Sequence, residues 1–184
     1  SEEAVATLET RTEGWIAAIK LAALSLKSTP HADATDFIQT LSGNHRLIAD
    51  YLLEEVINHQ PESVRSFMLQ TSILPSLSGA LCDAITGQQN GQEMLEYLER
   101  ENLFIVQLDQ ERVWYRYHHL FSEMLHHSLR RTSPEQIPLL HRRASEWFQT
   151  RGLIPEAVKH AMAYAAASKD WDFARSLLDR LSMN

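Results

Sequence analysis

A single cysteine, Cys82, stands in the 184-residue chain, so a disulfide framework within it is excluded and a reducing compartment suits it. Glycine is scarce too. The six glycines are spread singly, and neither G-x-x-x-x-G-K-[ST] nor G-x-G-x-x-G occurs, so the backbone cradle that such loops offer a phosphate is missing. There is no G-x-S-x-G nucleophile elbow either. Long apolar runs are lacking: a membrane-spanning helix needs about 18 consecutive apolar residues. The apolar stretch from Trp15 to Leu26 is interrupted by Lys20. The opening residues, SEEAVATLE, are acidic and helical, unlike a signal peptide's basic-then-apolar start. A cytoplasmic location without membrane association is expected.

Positive charge is also in short supply. Lys and Arg number 17 against 24 Asp and Glu, a formal net charge of −7. Nucleic-acid affinity comes from neutralising phosphates, so an acidic chain binds DNA poorly unless its basic residues cluster. The densest basic group is Arg130, Arg131, Arg142 and Arg143, with Glu135 and Glu146 close in sequence. That mixture reads as a solvated helical face.

What the chain has is helical periodicity. Its 44% hydrophobic content supports a core, and 22% charged residues leave an ordinary surface. Trp15, Ile19, Ala22 and Leu26 line one helical face; Ile48, Leu52 and Val56 line another, and Val64, Phe67 and Thr71 a third. Thr10 with Glu13 fits a capping box, and Pro61 suits a first helical turn. Ser133-Pro134-Glu135-Gln136 combines a cap, a first-turn proline and a glutamine three residues on, which predicts a helix running to Arg151 and stopping at Gly152.

One segment breaks the rule. Leu103 to Leu108 and Val113 to Tyr117 are rich in β-branched and aromatic residues and flank a polar turn, Asp109 to Arg112. Short helices are predicted before this hairpin near 61–71, 77–85 and 90–101, and one after it near 118–130. Three helices and then a two-stranded wing is the order of a winged helix-turn-helix. Beyond it, Ile137, Leu140, Ala144 and Trp147 mark one face, Ala157, Ala161 and Ala165 a small-residue face, and Trp171, Ala174, Leu177 and Leu181 a third. This rhythm resembles the start of a tetratricopeptide-like array, which stacks unit on unit and is expected to continue beyond Asn184. The predicted fold is therefore mostly α: a helical subdomain (1–57), a winged-helix subdomain with a short β-hairpin (58–131) and the beginning of a helical arm (132–184).

The chemistry-bearing residues do not assemble an enzyme. Cys82 sits in an apolar helical context, where a buried inert thiol is expected rather than a nucleophile. The carboxylates at Glu54-Glu55 and from Glu93 to Glu101 lie on polar helical faces. Among nine histidines, His118, His119, His126 and His127 share one predicted helix. The two pairs lie roughly 10–13 Å apart along it, too far for one zinc with ligands at about 2.1 Å. No metal site is expected. The third helix of the winged motif, which would read DNA, carries Glu93, Glu96, Glu99 and Glu101 against Arg100 alone, so it would repel phosphate.

Three phrases taken together resemble a known family: TEGWIA with LAALSL (Thr12–Leu26), IADYLLEEV (Ile48–Val56) and WYRYHHLF (Trp114–Phe121). They resemble the large ATP-dependent LuxR-type transcriptional regulators typified by the bacterial maltose-regulon activator, within the signal-transduction ATPases with numerous domains. The resemblance covers essentially the whole chain. It implies a nucleotide-binding domain preceding the chain, with a repeat-built sensor and a C-terminal DNA-binding module following it. It also implies that ATP and ADP are cofactors of the parent protein alone, a slow switch ATPase. The chain's partners would be its own neighbouring domains, with self-association on activation.

Two motifs carry over. In related switch ATPases a Gly-x-Pro packs against adenine; here the matching residues are Gly14-Trp15-Ile16, with isoleucine replacing proline and its fixed φ. A Met-His-Asp whose histidine contacts the ADP β-phosphate matches Tyr117-His118-His119, where only the histidine is kept. The resemblance thus implies that Gly14, Ile16 and His118 contact nucleotide once the missing domain is present. Two alternatives stay open: a helical-repeat interaction scaffold without a nucleotide role, and a winged-helix DNA binder.

Overall fold

The computed structural model describes residues 57–182. The expectations for Thr10–Glu13, Gly14, Ile16 and the faces at Trp15–Leu26 and Ile48–Val56 lie outside these residues, as does nearly all of the 1–57 helical subdomain.

Helix α1 spans Glu62–Thr71 and buries Val64, Phe67, Met68 and Thr71, an i, i+3, i+4, i+7 stripe. Pro61 stands one position earlier than predicted, at the N-cap with φ −52° and ψ 148°. Its carbonyl accepts the Val64 and Arg65 N–H groups, each at 3.0 Å, so the ring costs the helix nothing. Helix α2 spans Gly79–Thr86 and ends on Gly87 at φ 75°, and α3 spans Gly91–Arg100. These two helices approach each other closely. The Asp83 carboxylate accepts the Gly91 N–H at 2.7 Å, and a Cβ at Gly91 would run into the Gly79 carbonyl oxygen and lie 2.8 Å from Asp83 Oδ1.

The wing follows as β1 (Ile105–Gln107) and β2 (Tyr115–Tyr117), antiparallel, with Ile105 opposite Tyr117, Val106 opposite Arg116 and Gln107 opposite Tyr115. The turn has no glycine. Arg112 adopts φ 56°, and the Asp109 carboxylate accepts the Val113 and Trp114 N–H groups at 2.9 and 3.0 Å. On its other side β2 exchanges two backbone bonds with Leu77, of 2.7 and 2.9 Å. β2 is therefore the inner strand and β1 the outer one.

Helix α4 (His119–Thr132) runs under the wing on Leu120, Phe121, Met124, Leu125 and Leu129. The Ser133-Pro134 start forms differently from the expected cap. Pro134–Gln136 is a single 3₁₀ turn closed by Gln136 N–H to Ser133 O at 3.1 Å, and the Ser133 side chain makes no capping bond. Helix α5 (Ile137–Thr150) then ends before Gly152, whose φ of 71° reverses the chain into α6 (Ile154–Ser168). Ala157, Ala161 and Ala165 are all buried against α5, as their spacing predicts. On α5 the innermost aromatic is Phe148 rather than Trp147, which is half-buried. Helix α7 (Asp172–Ser182) buries Ala174 and Leu177, but Trp171, expected on that face, precedes the helix and is 49% exposed.

One hydrophobic cluster runs from Ile57 to Leu177 without a break between winged helix and arm. Arg143 of α5 crosses that junction to donate to the Ile85 carbonyl near the C-terminal end of α2, at 2.8 Å. The mostly helical architecture, winged helix and hairpin follow the predicted order, with the four helices around the wing within two residues of their expected bounds. No helix among the described residues is long and apolar enough to cross a membrane.

Candidate functional site

His118 sits where strand becomes helix. β2 ends at Tyr117, and His118 is the N-cap of α4 with φ −55° and ψ 141°. Its backbone is fixed on both sides: the N–H donates to Phe104 O and the carbonyl accepts from Ser122 N–H, each at 2.8 Å. Its imidazole is half-buried and does not cap α4. The side chains around it are tightly held. Tyr117 is buried, its hydroxyl 2.7 Å from Thr71 Oγ1, and its ring meets Phe121 edge-on at 5.8 Å. Phe104, at φ 56°, closes the cluster with its ring 4.8 Å from Phe121.

The local field favours an anion. A helix N-terminus presents unsatisfied N–H groups and a partial positive charge, and α4 has no acidic residue in its first turn. The guanidinium of Arg116 reaches the Tyr117 carbonyl at 3.2 Å, two residues before His118. His119 points elsewhere: it is exposed and lies 3.6 Å from Glu123. The strand-to-helix transition thus separates the adjacent histidines.

His126 and His127 lie further along α4, with Glu123 and Arg130, around a shallow cavity of about 150 Å³. Burial and the Arg130 charge lower the His126 pKa. A guanidinium in that cavity opposes a cation, and among the described residues no three His, Cys, Asp or Glu side chains converge on a metal position. Cys82 is fully buried in α2, and burial pushes its thiol up to about 12, so it carries no thiolate chemistry in the fold. On α3, Glu93 and Glu96 face solvent, while Glu99 accepts a bond from the Tyr115 hydroxyl at 3.4 Å.

Sequence reasoning missed one pair. His141 of α5 and His160 of α6 meet with Nδ1 to Nδ1 at 2.9 Å, and Phe148 stacks on His160 at 5.5 Å between centroids. One Nδ1 must donate and the other accept, so the two rings cannot both be protonated there. Burial lowers both pKa values to about 4, aided at His141 by its partner. The available signal was His160 itself, three residues after Ala157 on the small-residue face.

Residues 53–137 match the MalT winged helix domain. The segment belongs to the MalT winged-helix family. The similarity extends beyond it. The chain is 37% identical over 152 residues to the HTH-type transcriptional regulator MalT of Yersinia pestis, covering 82% of this chain and 17% of that protein. It is 40% identical over 159 residues to the serine/threonine-protein kinase PknK of Mycobacterium tuberculosis, covering 86% of this chain and 14% of that one. The chain thus spans about a sixth or less of the curated relatives it matches. One and the same segment occurs in a protein named as a kinase and in one named as a transcriptional regulator. The MalT winged-helix match and the MalT relative agree with the resemblance that the three phrases carry.

Proposed function

We propose that this chain is the central relay of a nucleotide-switched regulator, coupling a preceding nucleotide-binding domain to a following inducer sensor. The observation that carries the reading is the placement of His118 at the positive end of α4, beside an aromatic cluster and with no acid in the first turn. In the resting state His118 contacts the β-phosphate of ADP held by the neighbouring domain, with Gly14 and Ile16 against the adenine. Inducer binding to the sensor pulls on the arm and releases the contact. ATP then replaces ADP, and the parent protein self-associates on DNA through a separate C-terminal module. The chain itself neither hydrolyses nucleotide nor reads DNA; the slow ATPase belongs to the whole protein, which acts in the cytoplasm. Occurrence of the segment beside differently named output activities supports a relay rather than an output role.

The test is His118→Ala in the full-length regulator. Loss of one phosphate contact should weaken ADP binding about 10- to 100-fold by calorimetry and raise inducer-independent expression. Unchanged ADP affinity together with unchanged basal expression would refute the relay. A second reading, a helical-repeat interaction scaffold without a nucleotide role, is favoured by the exposed Leu153, Met162 and Leu178 on the arm. Under it, charged substitutions at Met162 and Leu178 abolish partner capture while ADP affinity ignores His118.

A further inference from the structure

Two residues between α3 and β1 take a left-handed backbone, and the turn they sit in accounts for one of them. Asn102, at φ 53°, closes α3. Its N–H donates to Glu99 O at 3.0 Å and the Leu103 N–H to Leu98 O at 2.8 Å, with Leu98 and Leu103 both buried. That is a Schellman cap, in which asparagine tolerates the left-handed position. Phe104 follows at φ 56°, outside the cap. A left-handed backbone crowds the Cβ of an L residue against the carbonyl oxygen, which disfavours it about 5- to 30-fold. Phenylalanine offers no side-chain hydrogen bond to offset this. Outliers of this kind persist where surrounding contacts over-determine them, and they gather at functional sites.

What the conformation accomplishes is visible across the hairpin. Extending the pairing of Ile105 with Tyr117 by one place sets Phe104 opposite His118. The His118 carbonyl has turned to the Ser122 N–H in α4, while its own N–H still donates to Phe104 O, each at 2.8 Å. His118 is thus held from α4 on one side and from Phe104 on the other. The Phe104 ring is half-buried, 4.8 Å from the ring of Phe121 in α4. Rotation of Phe104 to a negative φ would swing its carbonyl away from the His118 N–H. We infer that Phe104 is a positioning residue for His118: its left-handed backbone aims the carbonyl that fixes His118 at the strand–helix junction. The inference deepens the relay reading and rests on it for its consequence, the setting of the imidazole toward a phosphate. The hold itself does not depend on nucleotide. Substitutions at position 104 therefore rank by their tolerance of positive φ, with packing of the side chain second.

Amide exchange in the 184-residue chain tests the hold. The Leu108 N–H, bonded to Trp114 O at 2.8 Å in the same hairpin, serves as the internal reference. Phe104→Val keeps an apolar side chain but is β-branched and resists positive φ. Phe104→Asn gives up the apolar contact but tolerates positive φ. Relative to Leu108, the His118 amide should exchange about 3- to 10-fold faster in Phe104→Val and stay within about twofold of the unsubstituted chain in Phe104→Asn. A purely packing role for the ring predicts the reverse order, and that order overturns the inference, as does an equal effect of the two. If either variant fails to fold, by circular dichroism, Phe104→Gly and Phe104→Ala take their place. Glycine, free to adopt positive φ, should then protect the His118 amide better than alanine, and equal or reversed protection overturns the inference. Calorimetric titration of ADP into the full-length regulator separates this inference from the relay. Phe104→Val should weaken ADP binding in the same direction as His118→Ala, and Phe104→Asn should leave it near the unsubstituted value. Weakening by His118→Ala with none by Phe104→Val overturns the positioning role. No weakening by any of the three refutes the relay, and the exchange order alone then decides the hold.

Discussion

The Thr71–Tyr117 hydroxyl pair offers a sharp test of how the winged helix is held together. Thr71 Oγ1 lies 2.8 Å from the Phe67 carbonyl oxygen and 2.7 Å from the Tyr117 hydroxyl. A threonine hydroxyl has one proton and a carbonyl can only accept. Thr71 therefore donates to Phe67, and Tyr117 donates to Thr71. Both side chains are buried, and burial raises the Tyr117 pKa well above its ordinary value, so the phenol keeps its proton. The two truncations are then unequal. Thr71→Val keeps the shape but leaves a buried phenol O–H with no acceptor, at about 1–3 kcal/mol. Tyr117→Phe leaves Thr71 its own donor bond and removes one acceptor contact, at about 0.5–1.5 kcal/mol. With both changed no buried donor is orphaned, so the double variant should cost less than the sum, by about 1 kcal/mol. Urea unfolding followed by far-ultraviolet circular dichroism on the wild type and three variants measures the cycle. An additive cycle, or Tyr117→Phe costing more than Thr71→Val, would show that the proton assignment is wrong.

Three further outcomes are expected. Gly91→Ala should destabilise the winged helix by about 2–3 kcal/mol or more, read by urea unfolding, because the added methyl meets the Gly79 carbonyl; a neutral result would mean that α2 and α3 separate freely. His141 and His160 have folded pKa values of about 4, below the unfolded value of 6.5. Their contribution is therefore fully present above pH 6.5 and is lost as pH falls towards 4; a His141→Gln, His160→Gln variant should show a shallower fall of stability over that window than wild type. Cys82, its pKa pushed up to about 12, should resist a thiol-specific disulfide reagent at pH 8 in the native chain and react fully in denaturant; a native reaction as fast as that of free cysteine would contradict the buried position.

Much of this fold is legible in sequence because its signals are local. The 3.6-residue stripe of α1, the alanine face of α6 and the β-branched pair of strands each specify an element from neighbouring residues alone. His118 could be placed at a strand–helix junction for the same reason. What escaped depends on partners distant in the chain. The Leu77 bridge to Tyr115 makes β2 an inner strand, yet nothing in PSLS announces it. Asp83 caps the start of α3 eight residues away, and Ser133 yields its capping role to a 3₁₀ turn. Trp171 fits a helical face by spacing and still stands in solvent, since α7 begins after it. The histidine pair needs α5 and α6 to be docked before it exists. Gly14 and Ile16 lie outside the described residues, so of the three residues proposed to contact nucleotide only His118 has a described position.

The guanidinium of Arg143 has a mechanical consequence. It ties the arm to the end of α2 across a junction where the hydrophobic cluster is already continuous. A joint so filled and bolted has no slack. Torque applied to α6 or α7 turns the winged helix as one stiff lever, and the short excursion at the wing scales with the longer one at the arm's far end.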